Sequence, residues 1–177
     1  MLPPIYDPEA VKPLWQELAA VGVEPLTTPE QVDEVLGAKT GTTLVIVNSV
    51  CGCAAGQARP GVMQALQNSV IPDRSVTVFA GVDRDAVEKA RAHMSGYAPS
   101  SPSIGLFKDG KQVFMLQRTD LQRMNEDMVA GALTKAFEDH CARKGPSVDA
   151  ETYKQIRPFQ GCGSSIPMAG GLMPGRR

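Results

Sequence analysis

A buried strand that runs directly into two cysteines is the feature that most constrains how this chain can fold. Residues 44–50 read Leu-Val-Ile-Val-Asn-Ser-Val and are followed by Cys51, Gly52 and Cys53. The β-branched apolar run over 42–48 is typical of a central strand covered on both faces. A helical pattern follows the cysteines, and helix N–H groups stabilise a thiolate at such a junction. Because the thiolate is both the nucleophile and the metal ligand, the sequence predicts that this junction carries the chemistry.

The two cysteines are expected to play different parts. Cys51 lies nearer the strand end, where the helix N-terminus opens to solvent, so we expect it to be the nucleophile. Cys53 is close enough in sequence to attack a mixed disulfide on Cys51, and Gly52 is expected to let the backbone turn sharply and a substrate disulfide approach. A disulfide between these two would close a small, strained ring that is easily reduced, so the pair is expected to be a poor general reductant. Two inert buried thiols are the less favoured interpretation.

Composition places the chain among ordinary globular proteins. It has 177 residues, of which 42% are apolar and 21% charged, enough for one domain with a core and a tail. The net charge of −1 has no block of one sign, so we expect no nucleic-acid partner. Residues 1–9 lack the pattern of a signal peptide, and the apolar run 44–47 is too short to span a bilayer, which predicts a cytoplasmic protein with no membrane partner. In a reducing compartment its four cysteines are expected to be catalytic, metal-binding or free.

The order of the elements predicts an α/β fold. Capping signals at Asp7, Thr28 and Asn125 begin helices, and Asp109-Gly110 is typical of a hairpin turn. The predicted order is helix, helix, strand 42–48, helix, strand 75–80, helix, strand 104–107, strand 113–117 and helix. That order indicates a thioredoxin-like fold with a central mixed four-stranded sheet flanked by helices and an N-terminal helical extension. We expect residues 1–144 to form this domain and the Gly- and Pro-rich residues 145–177 to form a loosely ordered tail.

Two prolines have a place in this prediction. In thioredoxin-like proteins a cis proline opens the strand that faces the active-site cysteine, and its neighbouring backbone groups pair with substrate. Ser101-Pro102 stands in that position, so we expect this bond to be cis and these residues to bind substrate. Pro60 is expected to kink the helix that carries the cysteines.

Polar residues around the cysteines leave alternatives open. Asn48 and Ser49 either hydrogen-bond a thiolate or only shape the turn. Arg59 could attract an anionic thiol substrate, but a solvated surface arginine is the favoured interpretation.

The remaining cysteines lie far along the chain. The predicted apolar stripe of the last helix consists of Met128, Leu133, Ala136, Phe137 and Cys141. A core thiol at Cys141 is therefore favoured over a metal ligand or a working thiol activated by His140. Cys162 lies between two glycines of the tail and is either an accessory thiol or free.

Several separated motifs resemble the bacilliredoxin family over about residues 10–141. They are residues 42–56, 58–60, 76–81, 98–103 and 136–141. The resemblance implies a thioredoxin-like protein that removes bacillithiol from S-bacillithiolated protein cysteines, as glutaredoxin does with glutathione. It also implies bacillithiol as the low-molecular-weight thiol co-substrate, no metal, and S-bacillithiolated or disulfide-bearing proteins as partners.

The resemblance also implies a role for each matching residue. Cys51 would accept bacillithiol and Cys53 would be the resolving cysteine, with Ser101 and Pro102 as the cis-proline element. The tail from about residue 145 goes beyond the family's pattern.

Two other functions remain open at this point. A disulfide isomerase with broad substrates would use the same residues and bind protein segments beside Pro102. A metal or iron–sulfur binding module would use Cys51 and Cys53 as two soft ligands, with more from Cys162, His140 or a second subunit.

Overall fold

A mixed five-stranded sheet forms the centre of the protein, which a computed structural model describes over residues 1–159 and 165–170. The strands of this sheet are β1 (Glu24–Pro25), β2 (Thr42–Asn48), β4 (Arg74–Phe79), β5 (Ser103–Lys108) and β6 (Lys111–Leu116), and a separate pair consists of β3 (Val70–Ile71) and β7 (Arg143–Lys144). The helices are α1 (Pro8–Ala19), α2 (Pro29–Leu36), α3 (Arg59–Ala65), α4 (Arg84–His93), α5 (Arg118–Leu121), α6 (Glu126–His140) and α7 (Ala150–Gln155).

The sheet has the strand order β1-β4-β2-β5-β6. The central strand β2 runs parallel to β4 and antiparallel to β5, and β5 and β6 form the predicted hairpin. This topology confirms the thioredoxin-like fold and all four predicted strands. The fifth strand, β1, was not predicted because two residues that include a proline carry no periodicity.

Strand β2 is buried along its whole length, as its composition predicts. Leu44 and Ile46 pack into a cluster with residues of α3 and α6 on one face. Val45 and Val47 pack into a second cluster with residues of α2 and α4 on the other face. The strand therefore gives the cysteines at its end a rigid base between two cores.

The helix starts follow from local chemistry. The Asp7 and Asn125 side chains accept hydrogen bonds from the N–H groups of Glu9 and Met128, and Thr28 forms a capping box at the start of α2. These caps satisfy N–H groups that have no partner inside a helix.

The helix after Cys53 departs from its prediction. A π-helical turn, Ala54–Ala58, precedes α3, and the Arg59 N–H donates to the Ala54 carbonyl. Pro60 has no N–H to continue an α-helical ladder, and the hydrogen-bond register changes just before it. The local irregularity expected from Pro60 is thus a π turn beside the cysteines.

The predicted stripe of α6 was wrong at one position. Met128 is 52% exposed, whereas Val129 is buried. The buried face consists of Val129, Ala130, Leu133, Ala136 and Phe137. The helix packs against α3, and that neighbour, which the sequence alone does not reveal, sets its rotation.

The described residues after Gly145 make specific contacts with the rest of the chain. Val148, Tyr153 and Ile156 pack against the main core cluster. Ile166 is buried, and Met168 forms a β-bridge with Tyr6. The division of the chain at residue 144 stays a prediction.

Within the described part of the chain, no helix combines the length and the apolar character that crossing a membrane requires.

Close packing of α3 on α6 makes Gly61 intolerant of a side chain. A Cβ at Gly61 would lie 2.5 Å from Val129 Cγ1 and 3.1 Å from the Glu126 carbonyl oxygen. We expect Gly61→Ala to lower the free energy of unfolding by roughly 1–3 kcal/mol, measured by urea denaturation. The control is Gly131→Ala, an exposed position of α6 where a Cβ meets nothing within 4 Å; we expect it to be neutral or stabilising. Equal effects of the two substitutions would contradict this packing argument.

Candidate active site

The structure brings Cys51 and Cys53 together at the end of β2. Their sulfur atoms lie 2.8 Å apart, and both cysteines are free and partly exposed. The N–H groups of Ala54 and Ala55 donate to the Cys51 carbonyl, so the first helical turn begins at this residue. Two thiols at this separation can exchange a proton and can form a disulfide with little movement.

Hydrogen bonds divide the charge unequally between the two sulfurs. Burial alone would raise the pKa of Cys51, but hydrogen bonds from Cys53, from Ser49 and from the N–H groups of Ala54 and Cys53 together lower it below its ordinary value. Burial and the hydrogen bond to Cys51 raise the pKa of Cys53 to about 11. Cys51 is therefore the group poised as a thiolate, and Cys53 is the thiol that donates a proton to it.

Ser49 and Asn48 make different hydrogen bonds and have different roles at the site. Ser49 Oγ donates to Cys51 Sγ at 3.3 Å, which selects the thiolate-binding alternative for this residue. Asn48 does not contact the sulfur. Its amide donates to the Leu14 carbonyl at 3.0 Å, and its side-chain oxygen accepts from the Ser49 N–H at 2.8 Å. Asn48 thus joins α1 to the cysteine loop.

The prediction of a solvated Arg59 was wrong. Its side chain is 1% exposed and forms a buried ion pair through Nε with Glu17. Arg59 Nη1 donates to Asn48 Oδ1 at 3.2 Å and to the Ser49 carbonyl at 3.1 Å. The π turn and α3 direct this residue inward, where it supports the loop and is not accessible to a substrate.

Glu17 was missed by the sequence analysis. Its second carboxylate oxygen accepts the Phe159 N–H at 2.6 Å. The signal was present, because Glu17 lies beside Leu14 and Leu18 on the buried face of α1. A carboxylate on an apolar stripe requires a buried partner of opposite charge.

A cleft of about 240 Å³ opens beside Cys51. Its lining residues are Ile5, Tyr6, Ser49, Val50, Cys51, Ala80, Gly81, Ser101 and Arg118. The Ser101–Pro102 peptide is cis, as expected. Ser101 and Cys51 both line the cleft, while Pro102 is buried just before β5.

Gly52 is exposed, but the turn does not require a glycine there. Its φ lies outside the left-handed region, and a Cβ at this position would meet nothing within 4 Å. The space above Gly52 is open to an approaching substrate.

The other cysteines lie apart from this pair or outside the described residues. Cys141 follows α6 and packs half-buried against the core, and burial raises its pKa. It lies beside Thr42 at the start of β2, the length of the strand away from Cys51. Among residues 1–159 and 165–170, no group of three or more His, Cys, Asp or Glu side chains is arranged to hold a metal. Cys162 falls in the gap between these ranges.

The Ser49 hydroxyl should control the reactivity of Cys51. Ser49→Ala removes one donor to the thiolate, so we expect the pKa of Cys51 to rise and its alkylation by iodoacetamide at pH 7 to slow by roughly tenfold. The measurement is the pH dependence of the alkylation rate in a Cys53→Ala, Cys141→Ala, Cys162→Ala background. Ser95→Ala, in an exposed turn, is the control. An unchanged rate profile for Ser49→Ala would contradict the assigned hydrogen bond.

The buried ion pair should contribute strongly to stability. We expect Glu17→Gln to lower the free energy of unfolding by about 3–5 kcal/mol, because it leaves the Arg59 charge buried without its partner. The matched control is Glu24→Gln, which breaks an exposed ion pair with Arg74 and should cost at most about 1 kcal/mol. Urea denaturation checks both values, and a small effect of Glu17→Gln would show that water reaches Arg59.

Comparison with known proteins agrees with this site. Residues 6–141 match the family model described as Disulphide isomerase. A bacilliredoxin of Koribacter versatilis is 43% identical over 77% of this chain and 94% of its own length. Bacilliredoxins of Salinibacter ruber and Staphylococcus aureus are 44% and 46% identical, over 82% and 79% of this chain and 86% and 96% of their own lengths.

Solved structures similar to this chain include two thioredoxins. A reduced thioredoxin pre-protein of Schistosoma mansoni is 15% identical, with a TM-score of 0.44 over 65% of this chain and 97% of that chain. An oxidised thioredoxin of Plasmodium falciparum is 18% identical, with a TM-score of 0.44 over 68% of this chain and 100% of that chain. The extent and identity of the sequence matches, with the cysteine pair at the end of β2, show that the chain belongs to the bacilliredoxin family and is a thiol–disulfide oxidoreductase.

Proposed function

We propose that this protein removes bacillithiol from S-bacillithiolated protein cysteines through a mixed disulfide on Cys51. The observation that carries the proposal is the unequal pair of sulfurs, with hydrogen bonds that favour a thiolate on Cys51 and a proton on Cys53. The relatives named bacilliredoxin support bacillithiol as the small thiol. We place the protein in the cytoplasm, where clients and enzyme thiols are kept reduced.

The first step is an exchange of sulfur–sulfur bonds. The Cys51 thiolate attacks the bacillithiol sulfur of the client's mixed disulfide. A bond forms between Cys51 Sγ and the bacillithiol sulfur, the bond to the client breaks, and the client thiolate leaves and takes a proton from solvent. The number of disulfides is unchanged, so no external oxidant or reductant is needed.

The second step frees Cys51. Cys53 loses its proton and attacks Cys51 Sγ, which forms a Cys51–Cys53 disulfide and expels the bacillithiol thiolate. Alternatively, a free bacillithiol thiolate attacks the bacillithiol sulfur of the adduct and leaves Cys51 as a thiolate. In the adduct Cys51 carries no negative charge, so of the causes that raise the pKa of Cys53 in the reduced pair only burial remains, and Cys53 must still lose its proton before it attacks.

Substrate binding is assigned to the surface around the thiol. Ser101 and Pro102 are proposed to pair with the backbone of the client protein beside its modified cysteine. The open space above Gly52 would admit the client's disulfide.

Transfer of the adduct tests this function. We expect the wild type and Cys53→Ala to gain the mass of one bacillithiol from a bacillithiolated protein, and Cys51→Ala to gain none. Cys53→Ala should hold the adduct longest, because it lacks the resolving thiol. Cys141→Ala is the control and should behave as the wild type in intact-mass spectrometry. Equal transfer to Cys51→Ala, or no transfer to Cys53→Ala, would overturn the proposal.

Disulfide isomerisation is the second candidate, favoured by the description of the matching family model. It would use Cys51 in the same way on protein disulfides. Refolding of a scrambled-disulfide protein discriminates between the two, since activity there without removal of bacillithiol would favour isomerisation.

A further inference from the structure

Among residues 1–159 and 165–170, Arg118 is the only cation that lines the cleft beside Cys51. Its backbone N–H donates to Ser100 Oγ at 3.4 Å, which ties the start of α5 to the loop before the cis proline. Its guanidinium makes no ion pair or side-chain hydrogen bond with the described residues. The charge nevertheless lies close enough to the thiols to lower the pKa of Cys53.

The rest of the cleft gives this cation no counter-charge. Its other polar side chains are the hydroxyls of Tyr6, Ser49 and Ser101, and its apolar wall is formed by Ile5, Val50, Ala80 and Gly81. No Asp or Glu is among these lining residues. A small molecule whose sulfur meets Cys51 therefore finds one positive charge and no fixed negative charge except the thiolate itself.

The other arginine near the cysteines cannot play this part. Arg59 is 1% exposed, and Glu17 already neutralises its charge. Arg118 is exposed and lines the cleft. A guanidinium also binds a carboxylate through two parallel hydrogen bonds, which fixes orientation as well as position.

We propose that Arg118 binds a carboxylate of the low-molecular-weight thiol and so makes the cleft selective for anionic small thiols. The inference rests on the proposed function, because it concerns the small thiol that is transferred to Cys51. With its carboxylate on Arg118, the small thiol presents its sulfur to the Cys51 thiolate, and the exchange proceeds as described above. The residue determines specificity, whereas the bond-making groups remain the two cysteines.

The test compares small symmetrical disulfides that differ mainly in charge. The probes are 3,3′-dithiodipropionate, bis(2-hydroxyethyl) disulfide and cystamine, which are anionic, neutral and cationic at pH 7. The protein carries Cys53→Ala, Cys141→Ala and Cys162→Ala, so that one mixed disulfide accumulates on Cys51 and the charge effect on Cys53 is removed. The rate of mixed-disulfide formation with each probe is followed by intact-mass spectrometry. It is then divided by the rate at which the same probe reacts with a free small thiol, because this ratio corrects for the intrinsic reactivity of the probe.

We expect the corrected rate to be highest for the anionic probe. Arg118→Gln should slow that probe by roughly three- to tenfold, leave the neutral probe unchanged and speed the cationic probe. Arg118→Lys should retain part of the preference, and added salt should weaken it. The matched control is Arg123→Gln, which removes the same charge from an exposed position outside the cleft and should change none of the ratios.

The outcomes separate this inference from the proposed function. If Arg118→Gln slows all three probes equally, or if the unsubstituted Arg118 protein shows no charge preference, the carboxylate site is overturned while thiol exchange at Cys51 stands. If the Cys51→Ala protein gains adducts as fast as the protein with Cys51, the proposed function itself fails.

Discussion

The buried ion pair between Glu17 and Arg59 is the interaction on which the active-site loop depends. Removing two charges from water costs several kcal/mol for each ion, so the pair is tolerated only where further hydrogen bonds complete it. Those bonds come from Asn48 and the Ser49 carbonyl on one side and from the Phe159 N–H on the other. These hydrogen bonds bring together α1, the end of β2, α3 and the segment after α7, while Arg59 Nη2 has no hydrogen-bond partner among the described residues. The same bonds also fix the backbone of Ser49, whose hydroxyl then reaches Cys51.

The geometry of that loop determines which of the two cysteines is the nucleophile. Two sulfurs 2.8 Å apart cannot both ionise at neutral pH, because the second negative charge would face the first. Hydrogen bonds from Cys53, from Ser49 and from two backbone N–H groups favour a thiolate on Cys51, whereas ionisation of Cys53 is favoured only by the charge of Arg118 and by the Cys53 backbone N–H. The protein thus selects its nucleophile by where the donors lie and not by any difference between the residues themselves. Since β2 is buried on both faces, those donors are held in place before a substrate arrives.

The features that could be predicted from the sequence are mainly those that local interactions along the chain determine. Helix caps and the buried strand depend on neighbours in the chain, and each is found where its signal stands. The cis Ser101–Pro102 bond was expected from the fold that the order of the elements predicts, and it is present. Arg59 could not be placed, because its exposure depends on a π turn and on a carboxylate 42 residues away. Met128 was misplaced for a related reason, since the rotation of α6 is set by its packing against α3. The position of Arg118 near the cysteines could not be predicted from the sequence. Only the fold places the end of the β5–β6 hairpin, where Arg118 lies, beside the two thiols.

The residues beyond the family match contribute to the same site. The match ends at residue 141, yet the donor to the second oxygen of Glu17 is the N–H of Phe159. Ile166 is buried in a cluster with Val50, the residue that precedes Cys51. A chain that stopped at residue 141 would leave a buried carboxylate oxygen without this donor, at a cost of about 1–3 kcal/mol unless water replaced it. The additional segment is therefore part of the scaffold that supports the nucleophile, because it completes the ion pair from the side opposite to Ser49.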